Sequence, residues 1–144
     1  MSLLKIAHVP PATVESNATV AEAVQVMAEE GVGAVAVVEN GQVRGIFTER
    51  DVMLRVVLPN RRPHETRMSE VMTTPVETTV DETPYEDALN FMLEHHIRHL
   101  PLVGSDGQLK GMLSIRNLLE HMVEDLQREL HALDQYLSND GPGG

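Results

Sequence analysis

The chain has 144 residues, of which 42% are hydrophobic and only 3% aromatic, so it can form one compact domain or two small repeats around an aliphatic core. Its formal net charge of −11 argues against nucleic acid and anionic membranes as general partners, and no apolar run reaches the length of a membrane span. The absence of cysteine excludes disulfides and thiolate chemistry. Because residues 1–9 are also too short for a secretion signal, we expect a soluble cytoplasmic protein.

The beginning of the chain predicts a strand followed by a helix. Residues 1–8 are assigned to an N-terminal arm, and the prolines after Val9 favour an extended segment because proline disfavours the helical region for the residue before it. Thr19 and Glu22 match a capping box, and the helix that they start is predicted to end at Gly31.

A hairpin and a second helix complete the first predicted repeat, residues 9–58. The apolar runs 34–38 and 42–47 flank Asn40-Gly41, and an Asn-Gly pair between such runs is a strong hairpin signal. A helix is then expected from about Glu49 to Val57, so this repeat has the order strand, helix, strand, strand, helix.

The second half, residues 72–123, repeats this order with matching registers, since Gly45 and Gly111 are 111 − 45 = 66 positions apart. Its predicted landmarks are Thr74-Pro75-Val76, a capping box over Thr83–Glu86 with Pro84 at the first helical position, and a hairpin of runs 98–103 and 108–113. Residues 59–71 form a polar linker between the repeats, and we interpret its three arginines as solvated.

The end of the chain, residues 124–144, extends the last helix, which is predicted to run from near Ile115 to about Leu137. Two series with a spacing of seven form an a/d heptad pattern: Leu119, Leu126 and Leu133, and Val123, Leu130 and Leu137. Either the helix folds back on its own core, or it protrudes and pairs with a second copy. Its length favours the protruding helix.

One short motif occurs once in each repeat. Gly45-Ile46-Phe47-Thr48-Glu49-Arg50-Asp51 returns as Gly111-Met112-Leu113-Ser114-Ile115-Arg116-Asn117. Each copy predicts a strand that turns directly into a helix, with Thr48 or Ser114 as the N-cap and Asp51 or Asn117 at the third helical position. Such a junction exposes backbone N–H groups at the positive end of the helix, which suits an anion.

These junctions in tandem, together with Met68–Thr73 and His96–Val103, resemble a CBS-domain pair, or Bateman module, over roughly residues 7–123. The resemblance implies an α+β fold of two tandem β-α-β-β-α repeats packed with pseudo-twofold symmetry, to which this chain adds an extended C-terminal helix. It also implies a cleft between the repeats in which adenine nucleotides such as AMP, ADP or ATP often bind, or S-adenosylmethionine or a dinucleotide in some members.

The same resemblance assigns roles to individual residues. Asp51 would accept hydrogen bonds from ribose hydroxyls, Thr48 and nearby N–H groups would hold polar ligand atoms, and Arg98 and His99 would contact phosphate. The full predicted ligand set is Gly45, Ile46, Thr48, Arg50, Asp51, Pro75, Val76, Arg98, His99 and Pro101. The second site has Ser114, Arg116 and Asn117 with Gly33 and Ala34, so we expect one competent site and one weak or empty one.

Other functions receive less support from the residues. His95, His96 and His99 could suggest metal, but nothing completes the set, and His121 and His131 are expected on the surface. We find no catalytic set and expect neither an enzyme nor a required cofactor, only adenine nucleotide as a regulatory ligand. The alternative is a scaffold with an empty cleft. In both cases the expected partner is a second copy of the chain, bound through the disc-like pair of repeats, through the C-terminal helices or through both. The regulated enzyme or transporter is not identified.

Overall fold

The computed structural model describes residues 2–139 and confirms the predicted α+β architecture with a long C-terminal helix. The first half contains β1 Thr13–Glu15, α1 Val20–Glu30, β2 Ala34–Glu39, β3 Gln42–Thr48 and α2 Glu49–Asp51, which continues as a π-helix over Val52–Val57. The second half contains α3 Met68–Val71, α4 Tyr85–Glu94, β4 His99–Val103, β5 Leu109–Ser114 and α5 Ile115–Asn139. A 3₁₀ turn, Leu3–Lys5, precedes both.

The predicted limits of α1 are confirmed by its hydrogen bonds. The Thr19 hydroxyl accepts from the Glu22 amide at 3.2 Å, and the Glu22 carboxylate accepts from the Thr19 amide at 3.1 Å. Two donors at the helix start are thereby satisfied. At the other end, Gly31 adopts the left-handed conformation with φ of 66° that ends helices.

Each half contains an antiparallel hairpin, as predicted. Asn40 and Gly41 both have positive φ, 54° and 78°, which is the geometry that a two-residue turn between twisted strands requires. β1 lies parallel to β2 at the edge of the first sheet, whereas the second sheet has only β4 and β5 as named strands. A single parallel bridge from Thr79 to Leu102 takes the place of the predicted first strand there.

One local expectation is wrong. α4 begins at Tyr85 with Pro84 as its N-cap, and the Thr83 hydroxyl does not cap it but lies 2.7 Å from the Thr79 hydroxyl. Pro84 has a helix-compatible φ of −58° but an extended ψ of 140°, so it lies outside the helix and Thr83 is one position too early to cap. The helix expected from about Glu49 to Val57 is present over that range, with an α-helical start at Glu49–Asp51 and a π-helical pattern over Val52–Val57.

The two halves exchange short segments with each other. The first core cluster includes Met68 and Val71 of α3, which comes after the first repeat in sequence. Leu3, from the segment assigned to an arm, is fully buried in the second cluster with Leu100 and Leu113. A third cluster lies between the two sheets, on the face of each sheet that points away from its own helices. It is formed by Ala34, Ala36, Val38, Ile46 and Met112. The repeats therefore pack with their sheets face to face, which buries the apolar residues of this cluster.

The helix α5 protrudes from this body. Residues 126–138 are all exposed, and the six heptad positions are exposed by 49% to 68%, so the alternative of a helix folded back on its own core is wrong. His121, expected on the surface, is instead 9% exposed, with its ring 4.9 Å from that of Tyr85 in an edge-on contact between α5 and α4. Within residues 2–139, no helix has the combination of length and apolarity needed to cross a bilayer.

Candidate functional site

Both strand-to-helix junctions have the reciprocal caps that the motif predicts. The Thr48 amide donates to the Asp51 carboxylate at 3.0 Å, and the Asp51 amide donates to the Thr48 hydroxyl at 3.2 Å. Ser114 and Asn117 make the equivalent pair at 2.9 and 3.0 Å. The cap geometry is the same in both repeats, but only the first junction has a charged side chain, that of Asp51, at the third helical position.

A cleft of about 660 Å³ lies beside the first junction, and we call it the first cleft. Its walls contain Thr48, Arg50, Asp51, Arg98 and His99, so these five members of the predicted ligand set are brought together from two repeats. Gly33, Glu49, Met53, Leu54, Arg55, Thr73, His96 and Ile97 complete its lining. Its volume is in the range of small-molecule sites.

Asp51 is held in place before any ligand arrives. It is 8% exposed, its carboxylate accepts from the Thr73 hydroxyl at 3.2 Å, and Arg55 Nε lies 3.5 Å from its Oδ1. Arg55 also donates to the carbonyls of Val71 and Met72, at 3.2 and 3.0 Å. Sequence reasoning missed Arg55, although its position four residues after Asp51 on a helix could have indicated it.

The arginines of the first cleft differ in what they contact. Arg55 is engaged by Asp51, whereas Arg50 and Arg98 are exposed and their guanidinium groups make no ion pair or hydrogen bond to other described residues. Glu49 is the second carboxylate of the cleft and was not predicted. With Arg50, Arg55 and Arg98 against Glu49 and Asp51, the lining has a formal charge of 3 − 2 = +1. The two free guanidinium groups can receive an anion.

His99 begins β4 and is half-buried. Burial lowers the pKa of its imidazole, the nearby Glu49 carboxylate raises it, and the Arg98 guanidinium lowers it further. Because the net direction is downward, the ring is neutral at pH 7. It can therefore donate or accept a hydrogen bond there, and an incoming anion would favour its protonated form.

A second cleft, of about 640 Å³, lies beside Ser114 and Asn117 and includes Arg116, Gly33 and Ala34, as the sequence analysis grouped them. Arg98 and His99 line it as well, whereas the sequence analysis gave this pair to the first site alone. The two clefts therefore share a wall.

The second cleft is electrostatically unlike the first. Its walls carry Glu30, Glu49 and Glu120 against Arg98 and Arg116, a formal charge of 2 − 3 = −1 with histidines neutral. Arg116 is already paired, with its Nε 2.8 Å from a Glu120 oxygen. An anion entering here would have to compete with that carboxylate for Arg116.

The other predicted ligand residues lie away from both linings. Ile46 and Val76 pack in the cluster between the sheets, Pro101 is buried in β4, and Pro75 is exposed. Gly45 faces the chain itself, because a Cβ there would come within 2.6 Å of the Met72 sulfur. Structural packing accounts for these residues except for the exposed Pro75.

The three neighbouring histidines do not converge on a metal position. The His95 ring stacks on Phe91 at 4.0 Å between centroids, and its Nδ1 lies 2.9 Å from the Phe91 carbonyl oxygen. Within the described part of the chain, no group of three or more His, Asp or Glu side chains is arranged to hold a metal ion.

Comparison with known proteins identifies the family. The CBS domain model matches residues 5–58 and 68–124. The CBS domain-containing protein YhcV of Bacillus subtilis is 38% identical over 114 residues, which are 79% of this chain and 80% of that protein. The meiotically up-regulated gene 70 protein of Schizosaccharomyces pombe is 35% identical over 125 residues, but this chain spans only 17% of its length.

Solved structures agree with this assignment. A putative signal-transduction protein with CBS domains from Burkholderia ambifaria superposes with a TM-score of 0.79 at 34% identity, covering 87% of this chain and 96% of that one. The CBS domain protein PAE2072 from Pyrobaculum aerophilum, solved in complex with AMP, has a TM-score of 0.74 at 27% identity and covers 81% of this chain and 89% of that one. This chain therefore belongs to the CBS-domain family and consists of two tandem CBS domains.

Proposed function

We propose that this chain is a cytoplasmic regulatory module that binds an adenine nucleotide of the AMP, ADP or ATP type in the first cleft, while the second cleft binds weakly or stays empty. The observation that carries the proposal is the convergence of Asp51, Arg50 and Arg98 on one cleft, with both arginines free of other charged partners among the described residues. AMP in the Pyrobaculum relative supports the ligand class.

The Asp51 carboxylate is suited to a ribose. An ionised carboxylate only accepts hydrogen bonds, and it can take two hydroxyl groups at once. Its contacts to the Thr73 hydroxyl are long, 3.2 and 3.4 Å, so a ribose hydroxyl can replace that group at little cost. Arg55 balances the carboxylate charge, which reduces its repulsion of a nearby phosphate.

The phosphates would lie against Arg50 and Arg98. Guanidinium groups bind phosphate oxygens through two parallel N–H donors, so one phosphate can use both arginines or a longer chain can use them in turn. His99 would add a third donor when protonated. Charge-assisted contacts of this kind support binding in the micromolar range, about −8 kcal/mol.

A ligand in this position can transmit its presence. It would connect the helix start at Thr48 in the first repeat with the strand start at His99 in the second. β4 pairs with β5, and β5 passes directly into α5. Occupancy of the cleft would therefore favour one relative arrangement of the repeats and of α5, which a regulated enzyme or transporter can recognise.

Isothermal titration with AMP, ADP and ATP tests this function, with adenosine to isolate the contribution of phosphate and GMP to test the base. We expect one site per chain that needs phosphate, and nucleotide at one hundred times its dissociation constant should add about 2.7 kcal/mol to the free energy of unfolding. Two equally tight sites would contradict the asymmetry. No binding of any adenosine compound would leave the scaffold as the better explanation.

A pair of equivalent substitutions localises the ribose contact. Asp51→Ala should abolish the nucleotide-dependent stabilisation, whereas Asn117→Ala, which removes the same cap 117 − 51 = 66 positions later, should keep it. Both variants lose a capping interaction, so a difference between them in nucleotide-dependent stabilisation reports the loss of the ligand contact and not the loss of the helix cap.

A further inference from the structure

The protruding part of α5 presents an apolar surface that the body does not cover. The helix is 25 residues or about 37 Å long, and its residues 126–138 are all exposed. We call the row formed by Leu119, Val123, Leu126, Leu130, Leu133 and Leu137 the seam. All six are large apolar side chains at alternating spacings of three and four.

A helix without tertiary packing is only marginally stable at this length. Isolated helices shorter than about 12–15 residues rarely persist in water, because helical stability in proteins comes mostly from packing of an apolar face. The exposed portion of α5 is of that size, and its seam residues Leu126, Leu130 and Leu133 are 53% to 68% exposed. Covering this face would therefore stabilise the exposed part of the helix.

We infer that the seam of one chain pairs with the seam of a second copy to form a two-stranded coiled coil. Taking Leu119 as position d of a heptad, Leu occupies every d position, and position a holds the β-branched Val123 and then Leu. A β-branched residue at a with Leu at d favours two strands, and Val123 supplies that combination in the first heptad. No polar residue interrupts the seam from Leu119 to Leu137, so two copies are complementary in register over about five turns.

The residues that flank the seam make the pairing sensitive to charge. Positions e hold Glu120, Gln127 and Asp134, and positions g hold Met122, Glu129 and Tyr136. In a parallel pair, Glu129 lies opposite Asp134 of the second copy. In an antiparallel pair, Glu120 lies opposite that Asp134 and the two Glu129 side chains lie opposite each other. Both orientations place like charges together, so salt should tighten the dimer and a cation at position 134 should do so more strongly.

The pairing is tested by equilibrium sedimentation of the whole chain, without nucleotide. Leu130→Asp should raise the dimer dissociation constant at least 100-fold. Gln135→Asp carries the same new charge at the outer f position and should leave it within about twofold. Residue 130 contacts no core cluster, so circular dichroism and the unfolding temperature of the Leu130→Asp monomer should show an intact body. If Leu130→Asp leaves the dimer dissociation constant unchanged, the interface lies elsewhere and the inference is overturned. A wild-type chain that is monomeric at 100 μM would overturn it as well.

A charge reversal tests the flanks separately. Asp134→Lys turns the two Asp134 contacts from repulsive to attractive in either orientation, and we expect about tenfold tighter dimerisation, while Gln135→Lys should have little effect. Equal effects of the two lysines would show that net charge rather than the seam flank matters, and would refute the proposed contact. Since no nucleotide is present, these outcomes do not depend on the function proposed for the first cleft.

Discussion

The strongest test of the proposed inequality between the two clefts compares Arg50→Ala with Arg116→Ala. The two arginines are equivalent in the repeats, 116 − 50 = 66 positions apart, and each lines only one cleft. Arg50 makes no ion pair to a described residue, whereas Arg116 is held by Glu120 at 2.8 Å. If nucleotide phosphate binds in the first cleft, only Arg50→Ala should weaken it.

The size of the effect follows from the exposure of Arg50. A hydrogen bond to a charged group contributes about 1.5–3 kcal/mol, and solvent screening around an exposed side chain favours the lower end. A loss of about 1.5 kcal/mol corresponds to roughly tenfold weaker AMP binding. Arg116→Ala should change the affinity less than about twofold, since that guanidinium is directed to Glu120.

Titration calorimetry at matched salt measures both affinities, and urea denaturation without ligand measures stability. Neither arginine supports the core, so each variant should unfold within about 0.5 kcal/mol of the wild type. Adenosine should bind both variants as well as it binds the wild type, because it lacks phosphate. Equal losses from the two substitutions, or a loss for adenosine as large as that for AMP, would refute the assignment of phosphate to the first cleft.

Three further predictions concern stability. Thr19→Ala removes one side of the capping box at α1 and should lower the free energy of unfolding by about 1 kcal/mol, measured by urea denaturation; Thr19→Ser, which keeps the hydroxyl, should recover most of it. Phe47→Ala deletes the ring of a fully buried residue of the first cluster and should cost about 3–5 kcal/mol; a loss under 1 kcal/mol would mean that the cluster is loosely packed. Burial lowers the pKa of His99, so the unfolded state takes up a proton first as the pH falls below about 6.5, and the wild type should lose stability between pH 7 and 5. His99→Gln should lack this part of the loss, and identical pH profiles of stability would show that His99 does not titrate differently on folding.

Much of the architecture could be predicted because it depends on local chemistry repeated twice. The caps at Thr19 and Thr48, the left-handed Gly31 and the positive φ at Asn40 follow from which side chains tolerate or satisfy those backbone conformations. The duplication then supported each assignment with a second example. The error at Thr83 has the same origin: residues 83–86 matched a local pattern, but the helix begins one position later than that pattern requires.

The sequence indicated five of the residues that line the first cleft, but it did not indicate the electrostatics of that cleft. The junction residues and the pair Arg98-His99 could be identified from motifs, yet their convergence from two repeats is a property of the packed sheets. The pairing of Arg55 with Asp51, the proximity of Glu49 and the capture of Arg116 by Glu120 were not anticipated from the motifs. The two similar junctions have clefts of opposite formal charge because Arg50, Arg55 and Asp51 line only the first, whereas Glu30, Arg116 and Glu120 line only the second.

The sequence by itself determined the duplicated order of elements, the two capped junctions and the heptad spacing of the last helix, because each depends on residues close together along the chain. Only the tertiary structure decided that Leu3 belongs to the second core and Met68 to the first, that His121 is buried, and that the seam of α5 is left uncovered. The physical reason is that burial and charge pairing depend on which distant surfaces meet, and the period of a pattern does not contain that information.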